Sequence, residues 1–240
     1  TVCGASRSRM MAVAGLLKHL ARLLEPGMTT KALDQAALAY LKREGAQPAF
    51  LGYQGFPATI CVSVNEEVVH GIPGARKICE GDLVSLDAGA IVQRLYADAA
   101  TTVPVGTVSD AAHRLIETTR CALEAGMAQV VRGNRVSDIS AAVQQVVEQA
   151  GYGVVREFVG HGIGYALHED PPIPNFGGPG MGPRLKTGMV LAIEPMVTLG
   201  RYEVEVLDDG WTAVTKDRSL AAHFEHTIAV TEHGPEVLTR

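Results

Sequence analysis

Apolar residues recur at helical spacing in four stretches of the chain and in short unbroken runs elsewhere, which predicts helices alternating with buried strands. Met11, Ala14, Leu17, Leu20 and Leu24 keep one helical face until Pro26-Gly27 stops it. Thr29 or Thr30 caps a second helix, with Leu33, Ala37, Tyr40 and Leu41 as its stripe and Gly45 as its end. A loop rich in Gly, Pro and aromatics covers 48–57, and strands are predicted at 59–64, 83–92 and 96–105. The cycle then repeats. Ser109 or Asp110 caps a helix running to about Val131, and another starts near Val136-Ser137-Asp138 and ends at Gly151. Further strands are predicted at 154–158, 189–193, 202–206, 211–216 and 222–230. Helix, helix, strands thus occurs twice, over 9–105 and 109–230, which predicts a duplicated α+β architecture. No linker-like composition separates the halves, so a single domain at 9–240 with one shared sheet is expected, after a short tail at 1–8.

Composition narrows the class. Apolar residues at 47% and charged residues at 20% fit a packed globular chain and exclude disorder and coiled coil. The net charge of -5 leaves no basic excess for a phosphate backbone, so no specific nucleic-acid partner is expected. The most apolar stretch, 10–24, is broken by Lys18, His19 and Arg22, and no run suits a membrane span. Cys3, Cys61, Cys79 and Cys121 form no C-x-x-C pair, which argues against a cysteine zinc knot. Scattered single thiols suit a reducing compartment, so a cytoplasmic location is expected, with each thiol a small buried hydrophobe.

The unusual feature is acids inside apolar strands. Asp87 interrupts Leu83-Val84-Ser85-Leu86-Asp87-Ala88-Gly89-Ala90-Ile91-Val92, and Asp98 lies on the following strand. With Val92 and Gln93 as the turn, Ile91 faces Arg94 and Asp87 faces Asp98. Opposed side chains have Cβ atoms about 4.5–5.5 Å apart. Two carboxylates that close demand a shared proton or an intervening cation. Glu194 ends the run Met189-Val190-Leu191-Ala192-Ile193 and is held extended by Pro195. Glu225 shares a strand face with His223 and Thr227. His161 sits between glycines, His168 precedes Glu169-Asp170-Pro171-Pro172, and His70 heads His70-Gly71-Ile72-Pro73-Gly74. The glycines beside His161 allow either a positive φ or a close backbone approach. One histidine with several carboxylates suits Co, Mn, Fe(II) or Zn, and enough carboxylates to bridge implies two ions and metal-assisted hydrolysis. No H-E-x-x-H, Walker A or G-x-S-x-G pattern competes, and Gly177-Gly178-Pro179-Gly180-Met181-Gly182 reads as a loop.

Asp87, Asp98, His161, Glu194 and Glu225, in this order, resemble the five metal ligands of the type I methionine aminopeptidases, of the pita-bread fold. The flanking text resembles the family too, from Leu51-Gly52-Tyr53-Gln54-Gly55-Phe56-Pro57 through Gly160-His161-Gly162-Ile163-Gly164 and Ile193-Glu194-Pro195-Met196 to Phe224-Glu225-His226-Thr227. The resemblance implies a pseudo-two-fold, curved antiparallel sheet. It also implies removal of N-terminal methionine from nascent chains and peptides with a small second residue, by a metal-bridging hydroxide. Asp87 would bind one ion in bidentate fashion, Asp98 and Glu225 would bridge, and His161 and Glu194 would complete the coordination of the other ion. Glu194 would also relay the proton, His168 would stabilise the oxyanion, and His70 would contact the scissile amide. Tyr53, Phe56, Cys61 and Trp211 would wall the methionine pocket. A monomer with possible ribosome contact is the expected state. Proline-specific aminopeptidases and dipeptidases share the ligand set and usually add an N-terminal domain. Three positions depart from the family pattern. Ala97 replaces the usual Gly before Asp98, Leu167 stands where an aromatic is common, and Ala192 where Thr is frequent.

Overall fold

The chain is seen in a computed structural model that describes residues 4–240, with side chains from residue 12 onward. Thr1, Val2 and Cys3 lie outside the described residues. Helix α1 (Gly4–Leu23) takes in most of the stretch expected as a tail. That segment holds no proline, and Ala5, Arg7 and Arg9 are good helix formers, so the helix extends ahead of its apolar stripe. Its buried face is Val13, Leu16, Leu17 and Leu20. Helix α2 (Thr30–Arg43) is capped by the Thr29 hydroxyl, which accepts from the Ala32 amide, and buries Leu33, Ala37 and Leu41. Helices α3 (Asp110–Ala128) and α4 (Val136–Gln149) repeat the arrangement, with Ser109 capping α3. Among the described residues no helix is long and apolar enough to cross a membrane. Cys61 is buried as expected, whereas Cys79 is exposed and Cys121 half-buried; all three are free thiols.

Among the described residues nine strands form the main sheet: β1 (Gln47–Pro48), β2 (Cys61–Val64), β3 (Leu83–Val92), β4 (Leu95–Pro104), β5 (Gly160–Gly162), β6 (Glu169–Ile173), β7 (Val190–Ile193), β8 (Glu225–Thr231) and β9 (Gly234–Val237). Their order is β1-β3-β4-β8-β7-β5-β6, with β2 also on β3 and β9 also on β8. Every described pairing is antiparallel. The first half of the chain therefore supplies one side of the sheet and the second half the other. They meet where β4 pairs with β8, as the duplicated pattern predicts. Two three-stranded ribbons flank the sheet, one joining Gly153–Val154, Met196–Thr198 and Ala221–His223, the other Glu67–Val69, Val204–Val206 and Ala213–Thr215.

Two expectations are corrected. In the β3–β4 hairpin Val92 pairs with Leu95, so the turn is Gln93-Arg94, with φ of 52° and 69°. Such a two-residue turn needs positive φ at both positions, which a β-branched Val92 would resist. The register therefore slides by two residues: Asp98 pairs with Gly89, and Asp87 with Ala100. A slide of two keeps both acids on one face, now diagonal neighbours. The run expected as one strand at 222–230 is divided at Phe224, its first part pairing with Met196–Thr198 and its second with β4 and β7.

His161 lies in strand β5, and of the two uses open to its glycines they serve close approach. A Cβ on Gly160 would stand 2.4 Å from the Ala192 carbonyl oxygen, and one on Gly162 would stand 2.3 Å from that of Asp170. Neither glycine is among the positive-φ residues. Gly162→Ala is expected to lower the unfolding free energy by about 1–3 kcal/mol, the ordinary cost of overpacking. A denaturant midpoint equal to that of the parent chain would show that the neighbouring backbone yields freely.

Candidate metal centre and active site

The sheet register assembles the acids. One row across three strands holds Asp87, Ala100 and Glu225. A row two residues along holds Gly89 and Asp98 on one side and Thr227, Ala192 and His161 on the other. Strand alternation puts both rows on the same face. Ala100 stands between Asp87 and Glu225, and Thr227 and Ala192 stand between Asp98 and His161; Gly89 backs onto the Phe50 ring, which a Cβ there would meet at 2.6 Å. Thr227 ties β8 to β4 within the Asp98 row: its hydroxyl accepts from the Asp98 amide at 2.9 Å and donates to the Asp98 carbonyl at 2.7 Å. Glu194 follows the last residue of β7, and its Oε1 lies 3.4 Å from His161 Nε2.

The donor atoms of Asp98, His161 and Glu225 lie within 4.8 Å of one another, and all three residues are buried. Asp87 and Glu194 line the same cavity. Asp87 Oδ1, Asp98 Oδ1 and Glu225 Oε1 are buried without a hydrogen-bond partner. Unpaired buried carboxylates are costly, and their electrostatics show it. Burial pushes Asp98 up to about 7. Burial, then the charges of Asp98 and Glu194, raise Asp87 well above the carboxylate range. Burial followed by Asp98 does the same to Glu194, and burial followed by Asp98, Glu194 and Asp87 to Glu225. Divalent cations remove that penalty, and an O-rich set with one imidazole fits them. Burial holds His161 down to about 4, and with Nδ1 donating to the Gly162 carbonyl its Nε2 is left free to ligate.

The remaining predicted residues line one cavity of about 180 Å³ with the acids. His168 lies in the β5–β6 connection, its ring centroid 4.3 Å from that of His161, and its Nδ1 is 2.7 Å from the Tyr53 hydroxyl. His70 follows the Glu67–Val69 strand at φ 61°, and burial pushes its imidazole down to about 4. Its ring meets Phe158 edge-on at 5.2 Å and Trp211 at 6.3 Å. Phe56 and Trp211 meet edge-on at 5.1 Å. Cys61 pairs with Asp87 across β2–β3, and burial together with the Asp87 charge pushes its thiol up, so it stays neutral. All eleven predicted site residues thus converge.

The structure adds Phe50 and Gln54 to the wall, and Leu167, the departure noted in the sequence at a pocket position, lines it as well. Gln54 at φ 48° sits in a one-turn 3₁₀ helix (Tyr53–Gly55), a strained backbone position that only three-dimensional geometry exposes. His223 is also drawn in, with Nε2 3.9 Å from Glu194 Oε2. Its place on the Glu225 face was the one signal available beforehand.

Residues 7–232 match Metallopeptidase family M24. Methionine aminopeptidase 1 of Bacillus subtilis (strain 168) is 51% identical over 237 residues, covering 99% of this chain and 96% of that protein. The crystal structure of methionine aminopeptidase from Thermotoga maritima superposes with a TM-score of 0.96 at 48% identity, covering 98% of this chain and 94% of that one. The prolidase from Pyrococcus horikoshii shares the fold alone, with a TM-score of 0.79 at 20% identity, and this chain covers 60% of it. The four helices, the curved antiparallel sheet and these neighbours make the architecture the pita-bread fold expected from the sequence. With buried carboxylates and an imidazole converging on one cavity, and with identity of this extent along nearly its whole length, the chain belongs to metallopeptidase family M24, on its methionine aminopeptidase branch.

Proposed function

We propose that the chain removes N-terminal methionine from peptides and nascent proteins in the cytoplasm, using two divalent ions drawn from Co, Mn, Fe(II) or Zn. One observation carries the reading: the buried cluster of Asp98, His161 and Glu225 opens into a small cavity walled by Tyr53, Phe56, Cys61 and Trp211. An unbranched thioether fits such walls, and burying it is worth about 1.5–3 kcal/mol. Asp87, Asp98, His161, Glu194 and Glu225 would hold the metal. Divalent ions held there supply Lewis acidity, which polarises a carbonyl and acidifies water.

The protein's own groups do the rest. Glu194, in the ligand cluster lining the cavity, carries a proton between the attacking water and the leaving amine. With the Tyr53 hydroxyl donating to Nδ1, His168 carries its proton on Nε2 and donates to the carbonyl oxygen as negative charge develops. His70, fixed by Phe158 and Trp211, contacts the scissile amide. Buried Leu167 completes the wall beside His168.

Three tests follow from this reading. Met-Gly-Met is expected to be cleaved and Gly-Pro and Ala-Pro peptides left intact; preference for the proline substrates would place the chain with the prolidases instead. Asp98→Ala or Glu225→Ala is expected to cut turnover by at least about 10²–10³-fold, the scale of losing one electrostatic stabiliser. Full activity in either variant refutes a shared site. Metal affinity is expected to rise with pH. Ligating carboxylates must be deprotonated, Asp98 holds its proton up to about 7, and His161, pushed down to about 4, does not compete. Calorimetric titration of the metal-stripped chain with Mn(II) is therefore expected to give weaker binding at pH 6 than at pH 8, with protons released. A pH-independent affinity would contradict protonated resting carboxylates.

A further inference from the structure

One buried polar group has no part in this reading. His223 is 2% exposed and its Nε2 has no hydrogen-bond partner. That nitrogen lies 3.9 Å from Glu194 Oε2, while Glu194 Oε1 lies 3.4 Å from His161 Nε2. The Glu194 carboxylate therefore sits between two imidazoles, one for each oxygen.

The backbone on both sides is tied down. His223 pairs with Met196, two residues beyond Glu194, and the Phe224 amide donates to the Pro195 carbonyl. The Thr102 hydroxyl accepts from the His223 amide at 2.8 Å and donates to its carbonyl at 2.9 Å. Asn175 Nδ2 donates to the Glu194 carbonyl at 3.0 Å. What remains free is the side chains. A gap of 3.9 Å is too long for a hydrogen bond and too short to seat a water between the two atoms. A turn of either side chain by roughly 1 Å closes it to the ordinary N–H···O length.

We propose that His223 is a positioning residue for Glu194: its Nε2–H donates to Oε2 and holds the carboxylate with Oε1 toward His161 and the cavity. The proposal rests on the reading of this site as a metal-dependent peptidase. A carboxylate gripped on its outer oxygen cannot swing away from a bound ion, and partners of this kind change metal affinity or activity by about 10–100-fold. His223 touches neither substrate nor metal in this account; it acts through Glu194.

The test compares the metal-stripped parent chain with His223→Gln and His223→Leu. Gln keeps an N–H donor near the place of Nε2, whereas Leu keeps bulk and loses the donor. The Kd for Mn(II) is measured by calorimetry, and kcat and KM on Met-Gly-Met. The Gln variant is expected to keep the parent affinity, and the Leu variant to bind Mn(II) about 10–100-fold more weakly and to lose kcat rather than gain KM. Equal affinity in the Leu variant overturns the proposal. Equal loss in the Gln and Leu variants overturns it too, because the ring would then be a metal ligand or a packing element. If the Leu variant does not fold, ¹⁵N NMR of the His223 ring in the metal-free parent decides: an Nε2–H tautomer supports the proposal and an Nδ1–H tautomer overturns it. A parent chain that binds no Mn(II) and leaves Met-Gly-Met intact refutes the peptidase reading instead, and the ring tautomer still tests the hydrogen bond.

Discussion

The organising constraint is mutual repulsion among carboxylates that the fold places together away from water. Asp87, Asp98, Glu194 and Glu225 share one cavity, and three of their oxygens have no protein partner. No arrangement of neutral side chains compensates four such charges, since burial alone pushes each toward its protonated form. The surroundings follow from this. Thr227 fixes the Asp98 backbone, Gly89 admits the Phe50 ring, and the histidines nearby are held neutral by burial. The net acidity of the chain is thus partly internal, and its surface is closer to neutral than the formal charge of -5 implies.

Much of this was legible along the chain. Helix starts at Thr29 and Ser109 carry hydroxyl caps, and both helices that follow begin there. Acids inside apolar strands stand out because a strand buried on both faces has no structural use for them. The hairpin register was not legible. Gln93 and Arg94 adopt positive φ without the Asn-Gly signature that would announce it, and their conformation is imposed by the strands on either side. The face of Asp87 and Asp98 survived that misplacement only because the slide was even.

Other features depend on contacts between distant segments. The glycines beside His161 are compatible in sequence with either a positive φ or a close backbone approach; only the carbonyls of Ala192 and Asp170 decide for close approach. Strand β6 contains Pro171 and Pro172 and lies beside β5 at the border of the sheet, where missing amides are tolerated. The approach of His223 to Glu194 is set by the ribbon joining Met196–Thr198 to Ala221–His223, a pairing that no local pattern specifies.

The seam between the duplicated halves has a further meaning. Asp87 and Asp98 come from one half, and His161, Glu194 and Glu225 from the other, across the β4–β8 junction. A cation held there is a rivet through both halves as well as a reagent. By mass action, an ion at a hundred times its Kd adds about 2.7 kcal/mol to the folded state. Starvation for divalent metal would therefore loosen the same joint that it silences, so the lifetime of the fold and its chemical competence draw on one shared supply.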